Sequence, residues 1–106
     1  YIGRVTTADT GVVFGVTMEC FETPAGGDPD IDLYSATEAT GVEDSAIGDL
    51  TETLIINSGD LSAGSRVAGG TIAADQYLYL VSGSTTNADY TAGRILITIH
   101  GYDVAS

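Results

Sequence analysis

The 106-residue sequence predicts an all-β fold: an antiparallel β-sandwich, jelly-roll-like, with at most one short helix. Three observations carry that prediction. Apolar residues recur at every second position in residues 11–21 and 94–103, the spacing of a strand with one buried face. Five or six such runs are separated by Gly-rich turns, at the roughly ten-residue spacing of sandwiches and barrels. Long connections precede and follow the run at 54–57, which favours crossings between two sheets over a simple meander.

Taken in order, residues 1–10 read as an N-terminal arm and residues 11–106 as a single domain. In GVVFGVTMECF, residues 11–21, Val12, Phe14, Val16, Met18 and Cys20 fall on one face. Val13, Gly15, Thr17, Glu19 and Phe21 fall on the other, and Gly15 marks a bulge or a close backbone approach. Residues 23–30, TPAGGDPD, carry the Pro, Gly and Asp signals of a loop. A short strand follows at Ile31–Ser35. Within the polar stretch 36–52, Val42–Leu54 reads as a short helix with Asp44 or Ser45 as its N-cap, weakened by Gly48. Leu54–Asn57 is the next strand, and Ser58-Gly59-Asp60 turns the chain. Residues 61–75 are small and polar, with Val67 and Ile72 as their anchors. In Gln76–Ser82, Tyr77, Tyr79 and Val81 share one face while Leu78 and Leu80 share the other. Two apolar faces place that strand centrally or at an interface. After a polar loop carrying Tyr90 and Gly93, the last strand spans Arg94–Asp103. It points Ile95, Ile97 and Ile99 inward and Leu96, Thr98, His100 and Tyr102 outward.

Composition bounds the function. A chain of this length buries roughly 65% of its unfolded surface, enough for one core. The hydrophobic fraction of 43% suits a folded domain. No apolar run reaches the ~20 residues of a membrane helix, and no leader pattern of basic, apolar and small residues opens the chain. The first residue is Tyr1, which reads as a processed chain or a piece of a longer one. Fifteen Asp and Glu stand against Arg4, Arg66 and Arg94, for a net charge of -12. Such a surface repels nucleic acid and anionic membranes, and suits a salty medium or a partner with basic patches. A single cysteine, Cys20, permits no internal disulfide and reads as a core residue.

Few residues suggest chemistry. Asp28, Asp30 and Asp32 alternate in the way that supplies oxygens to calcium. A helix–loop–helix calcium loop would need Gly and Glu where this chain has Leu33 and Ala39. If Ile31 starts a strand, Asp30 and Asp32 instead share a solvated face. No cofactor is expected apart from that calcium candidate. His100 is the sole histidine, and no strained nucleophile turn accompanies it. The carboxylates of Glu19, Glu22, Glu43, Asp44, Asp49 and Glu52 read as a solvated acidic face. A glycosidase pair would need a deep aromatic cleft, and the chain has no Trp. An enzyme is therefore not expected. Six Tyr outnumber two Phe, and Tyr77, Tyr79, Tyr90 and Tyr102 gather in the last third. Tyr suits surfaces buried between subunits as well as ordinary sheet packing. The expected interface residues are Tyr77, Tyr79, Arg94 and Tyr102, with Arg4 from the arm.

The run Tyr77-Leu78-Tyr79-Leu80-Val81, followed by Tyr90-Thr91-Ala92-Gly93-Arg94 and Ile95–Gly101, resembles the ends of small β-sandwich proteins of tailed bacteriophages. These are the capsid decoration, or cement, proteins and related head and tail accessory domains. The likeness covers about the last thirty residues and extends to an acidic, Lys-poor, Gly/Thr/Ala-rich style. It implies a jelly roll, homotrimers on the virion surface, contact with the major capsid protein or other virion subunits, and stabilisation of the shell against internal pressure. Two alternatives remain open: a carbohydrate- or receptor-binding module of a fibre, and a subunit of an extracellular filament.

Overall fold

The computed structural model describes residues 1–43, 45–83 and 89–103. Among them run seven strands: β1 (Gly3–Arg4), β2 (Val12–Ala25), β3 (Ile31–Ala36), β4 (Glu52–Ile56), β5 (Arg66–Gly69), β6 (Tyr77–Ser82) and β7 (Ala92–Tyr102). One four-residue helix, α1 (Thr7–Thr10), links β1 to β2, and a single 3-10 turn spans Ile47–Asp49. The strands form two antiparallel sheets, ordered β1-β6-β3-β4 and β5-β2-β7. The all-β sandwich is as predicted. A full jelly roll sets four strands against four, whereas the described residues set four against three.

One core lies between the sheets. Val13, Val16, Met18 and Cys20 of β2 meet Ile31 and Leu33 of β3, Ile56 of β4 and Leu78 of β6. Met18 and Leu33 are fully enclosed, at 0% exposure each, and a buried side chain of that size contributes about 1.5–3 kcal/mol. The sheets close tightly on one side, where Gly69 of β5 comes against Ile55 and Ile56 of β4. A Cβ at Gly69 would stand 2.6 Å from the Ile55 carbonyl oxygen and 2.5 Å from Cγ1 of Ile56.

Several expectations need correction. Residues 1–10 are built into the domain: β1 pairs with β6, and Val5 is buried in the core. Gly11 ends α1 at φ 65°, where a Cβ would run into the Tyr102 carbonyl. The helix expected over 42–54 is absent among the described residues. Only the 3-10 turn forms, without a side-chain cap, and Glu52–Ile56 join the edge of β3 as β4. Thr51, Thr53 and two isoleucines favour extended chain, and the β3 edge supplies the hydrogen bonds a strand needs. Asp44, one cap candidate, lies outside the described residues. The loop expected from residue 23 begins later, because β2 continues through Pro24 to Ala25. The proline is tolerated because β5 pairs only with residues 16–19 of β2, and β2 pairs irregularly with β7 beyond Cys20.

The face assignment of β2 is also partly reversed. Val13 pairs with Gly101 and Gly15 with His100, leaving Phe14 as an extra residue. This bulge shifts the alternation by one. Val13 turns inward with Val16, Met18 and Cys20, while Val12 and Phe14 turn out to solvent.

Candidate functional site

The outer face of the β5-β2-β7 sheet carries the most concentrated exposed apolar surface among the described residues. Register places Val12 beside Tyr102, Gly15 beside His100, Thr17 beside Thr98 and Glu19 beside Leu96 on that face. Phe14 is 60% exposed, Phe21 55%, Tyr102 51%, Leu96 47% and Val12 40%. The Phe14 ring lies 6.2 Å from that of Tyr102 and 6.1 Å from that of His100, centroid to centroid. Nε2 of His100 lies 3.3 Å from the Thr17 hydroxyl, which holds the imidazole against the sheet. Arg66 and Glu19 flank the strip as an ion pair at 3.8 Å. The bulge at Phe14 explains why that phenylalanine leaves the core, whereas Phe21 faces out by simple alternation with buried Met18 and Cys20.

The residues expected at an interface fall in different places. Tyr102 belongs to the aromatic strip. Arg94 is exposed at the start of β7, paired in register with Glu22 of β2. Tyr77 and Arg4 sit together on the other sheet. The Arg4 guanidinium carbon lies 5.2 Å from the centre of the Tyr77 ring, and Tyr1 packs edge-on to the same ring at 4.8 Å. Arg4 also pairs with Asp75 at 3.5 Å. At that exposure the pair is worth about 0–1 kcal/mol, so it orients the guanidinium more than it stabilises the fold. Tyr79 is a correction. It is 9% exposed, because the segment through Gly41 folds over it. Its hydroxyl donates to the Glu38 carbonyl at 2.7 Å and accepts from the Gly41 N–H at 3.2 Å. The Tyr79 side chain is thus consumed within the chain and presents little to a partner.

Phe14, Val12, Leu96 and Phe21 were the residues missing from the interface expectation. Gly15 signalled the bulge, but it did not say that Phe14 would be the extra residue.

The three aspartates do come together, with a fourth. Asp30 bridges Asp60 through backbone pairing, and Asp28 Oδ1 accepts the Asp30 N–H at 2.9 Å. Asp32 Oδ1 accepts the Ser58 N–H at 3.2 Å, and the Ser58 hydroxyl donates to the Ile31 carbonyl at 2.6 Å. Burial, then the neighbouring Asp32, Asp28 and Asp60 carboxyls, raise the Asp30 carboxyl above its ordinary value. Oδ1 of Asp30 is enclosed and has no hydrogen-bond partner. Among the described residues, no three acid, His or Cys groups converge as metal ligands. The backbone bridge and the Ser58 bonds fasten the 28–32 segment to the 58–60 segment, around a carboxyl that resists ionisation. Burial followed by Asp32 and Glu52 raises the Tyr34 phenol in the same neighbourhood.

One cavity of about 590 Å³ opens where β3, β6 and β7 approach one another, lined by Ile31, Leu80, Ile95, Pro24 and Tyr90. The Tyr90 hydroxyl donates to the Asp28 carbonyl at 2.6 Å, which fixes the ring at its rim. Comparison with known proteins finds no matching family model, no matching curated protein and no matching solved structure.

Proposed function

We propose that the chain is a non-enzymatic structural protein of a virion, a capsid-decorating domain that holds to the major capsid protein or other virion subunits by non-covalent contacts. The observation that supports this reading is the outer face of the β5-β2-β7 sheet, where Val12, Phe14, Phe21, Leu96 and Tyr102 stand 40–60% exposed together. Apolar groups held in water on a rigid sheet lose solvation cost when a second surface covers them, at roughly 25 cal/mol per Å². Exposed apolar side chains gathered on one sheet face in this way support a contact surface. Aromatic rings with few rotatable bonds suit it, because little side-chain entropy is lost on docking. The acidic remainder, at net charge -12, keeps unbound copies apart and draws in a basic partner surface. The resemblance of the C-terminal third to phage decoration proteins points the same way.

Immunogold labelling of particles from the source lysate, with antibody raised to this chain, tests the reading. The expected image is gold distributed over the capsid surface. Gold confined to fibre tips would favour a receptor- or carbohydrate-binding module, and gold along continuous filaments a filament subunit. Either image would overturn the decoration assignment.

A further inference from the structure

The two sheets are closed along one side and unfinished along the other. On the closed side Gly69 of β5 abuts β4. On the other side β7 pairs with β2 along one edge, and among the described residues no strand occupies its second edge. Outside the β2 pairing, no backbone hydrogen bond among the described residues engages residues 94–102. The helix α1 reaches only the far end of β7, where Thr10 meets Gly101 and Gly11 meets Tyr102.

Apart from Arg94, this edge lacks the usual guards. Natural edge strands carry Lys, Pro, inward charges or their own bulges to prevent pairing. The 11 residues of β7, AGRILITIHGY, hold no Lys and no Pro. The bulges fall in β2. No carboxylate occurs between Asp89 and Asp103, although the whole chain carries fifteen. Ile95, Ile97, Thr98 and Ile99 are residues with strong strand preference.

The edge is also short of cover. None of the residues of β7 is fully buried, whereas five of six in β3 are. Leu80 belongs to the inner face, paired in register with fully buried Leu33, yet it remains 39% exposed. It lines the 590 Å³ cavity together with Ile31 and Ile95. One more strand beside β7 would set four strands against four and roof that cavity.

We propose that the β7 edge and the adjoining inter-sheet cavity together accept one extended segment of a partner protein, an alternating apolar strand flanked by Lys or Arg. This rests on the reading of the chain as a subunit-contacting domain and names the element that makes one such contact. Main-chain hydrogen bonds to β7 supply affinity, and an apolar side chain entering above Leu80 and Ile95 supplies register. A basic flank is argued from charge: the edge itself carries only Arg94, but the rest of the molecule brings the total to -12. A second copy of this chain is a poorer occupant. It would bring its own net charge of -12 to the contact.

The test is a titration of the isotopically labelled chain with an eleven-residue synthetic peptide of alternating Val and Thr with two Lys at each end. Two controls are the same peptide N-methylated at alternate residues and a version with Glu at its ends. The expected result is saturable binding at or below about 1 mM, with amide shifts and slowed hydrogen exchange along residues 94–100. The N-methylated peptide should lose that binding, because methylation removes the donors of one strand edge. The Glu-ended peptide should bind at least tenfold more weakly. Absence of saturable binding, binding indifferent to N-methylation, or protection that maps to Phe14 and Phe21 would overturn the proposal. So would β7 protection that rises with protein concentration without peptide, which would assign the edge to a second copy. Leu80→Arg, checked for fold by its amide spectrum, should weaken the Lys-flanked peptide at least fivefold. Particle labelling and peptide titration read independent properties, so either can fail while the other stands.

Discussion

Tyr79 donates its phenolic hydrogen to the carbonyl oxygen of Glu38 at 2.7 Å, pinning the segment after β3 across the outer face of the four-stranded sheet. The Tyr79 hydroxyl oxygen in turn accepts from the Gly41 N–H, and the missing Cβ of Gly41 leaves room for the ring. Glu38 is further engaged through Oε2, which accepts the Thr51 N–H at 2.8 Å. The Thr51 hydroxyl, and then that backbone bond, hold the Glu38 carboxyl below its ordinary value. One tyrosine and one glutamate thus tie the 37–51 excursion to β6.

Removing only the phenolic oxygen should expose that dependence. Tyr79→Phe keeps the ring and strands the Glu38 carbonyl and the Gly41 N–H. The expected loss is about 1–2 kcal/mol in unfolding free energy, read by urea denaturation. Amide exchange at residues 38–42 should accelerate more than exchange in β2.

The closed side of the sandwich predicts a packing penalty. Gly69→Ala places a methyl against the Ile55 carbonyl and the Ile56 side chain, and backbone on that side leaves little room to yield. A destabilisation of about 1–3 kcal/mol follows from overpacking, measured by thermal and denaturant unfolding. Gly70→Ala, with open space at its Cβ, is the matched control and should change stability little. A neutral Gly69→Ala would show that β5 and β4 are not in close contact.

Asp30 predicts a pH dependence of definite sign. Its carboxyl holds its proton more tightly in the folded chain than in the unfolded one, because of burial and then Asp32, Asp28 and Asp60. Its contribution to stability is therefore largest in acid, declines as pH rises through the window above the unfolded value, and is lost above the folded value. Asp30→Asn removes the charge while leaving the backbone bond to Asp28 in place. At pH 7 the variant should melt a few degrees higher than the parent, and the difference should shrink toward pH 4. A melting temperature lowered at pH 7, in calorimetry at both pH values, would contradict this assignment.

Several elements were legible because their information is local. Ile95, Ile97 and Ile99 alternate with Leu96, Thr98 and His100 in an unbroken strand, and the inward set does pack against the core. Cys20 was readable as a core residue, and its thiol donates to the Glu22 carbonyl at 3.1 Å. The strand at residue 31 was placed correctly to within one residue. The 42–54 segment differs from the helix its sequence suggests because Glu52–Ile56 pairs with β3. The β3 edge, remote in sequence, decides the outcome. Phe14 was misread because a bulge is a property of two paired strands.

The sequence by itself determined the extended character of the chain, the two-residue alternation of its strands and the acidic composition. Each of these follows from the side chains present and their immediate neighbours. The tertiary structure alone decided which strands pair, that Tyr79 is used internally, that Phe14 faces solvent, and that β7 ends its sheet among the described residues. Those outcomes depend on pairings as distant as Val12 with Tyr102, and such contacts exist only once strands remote in sequence have come together.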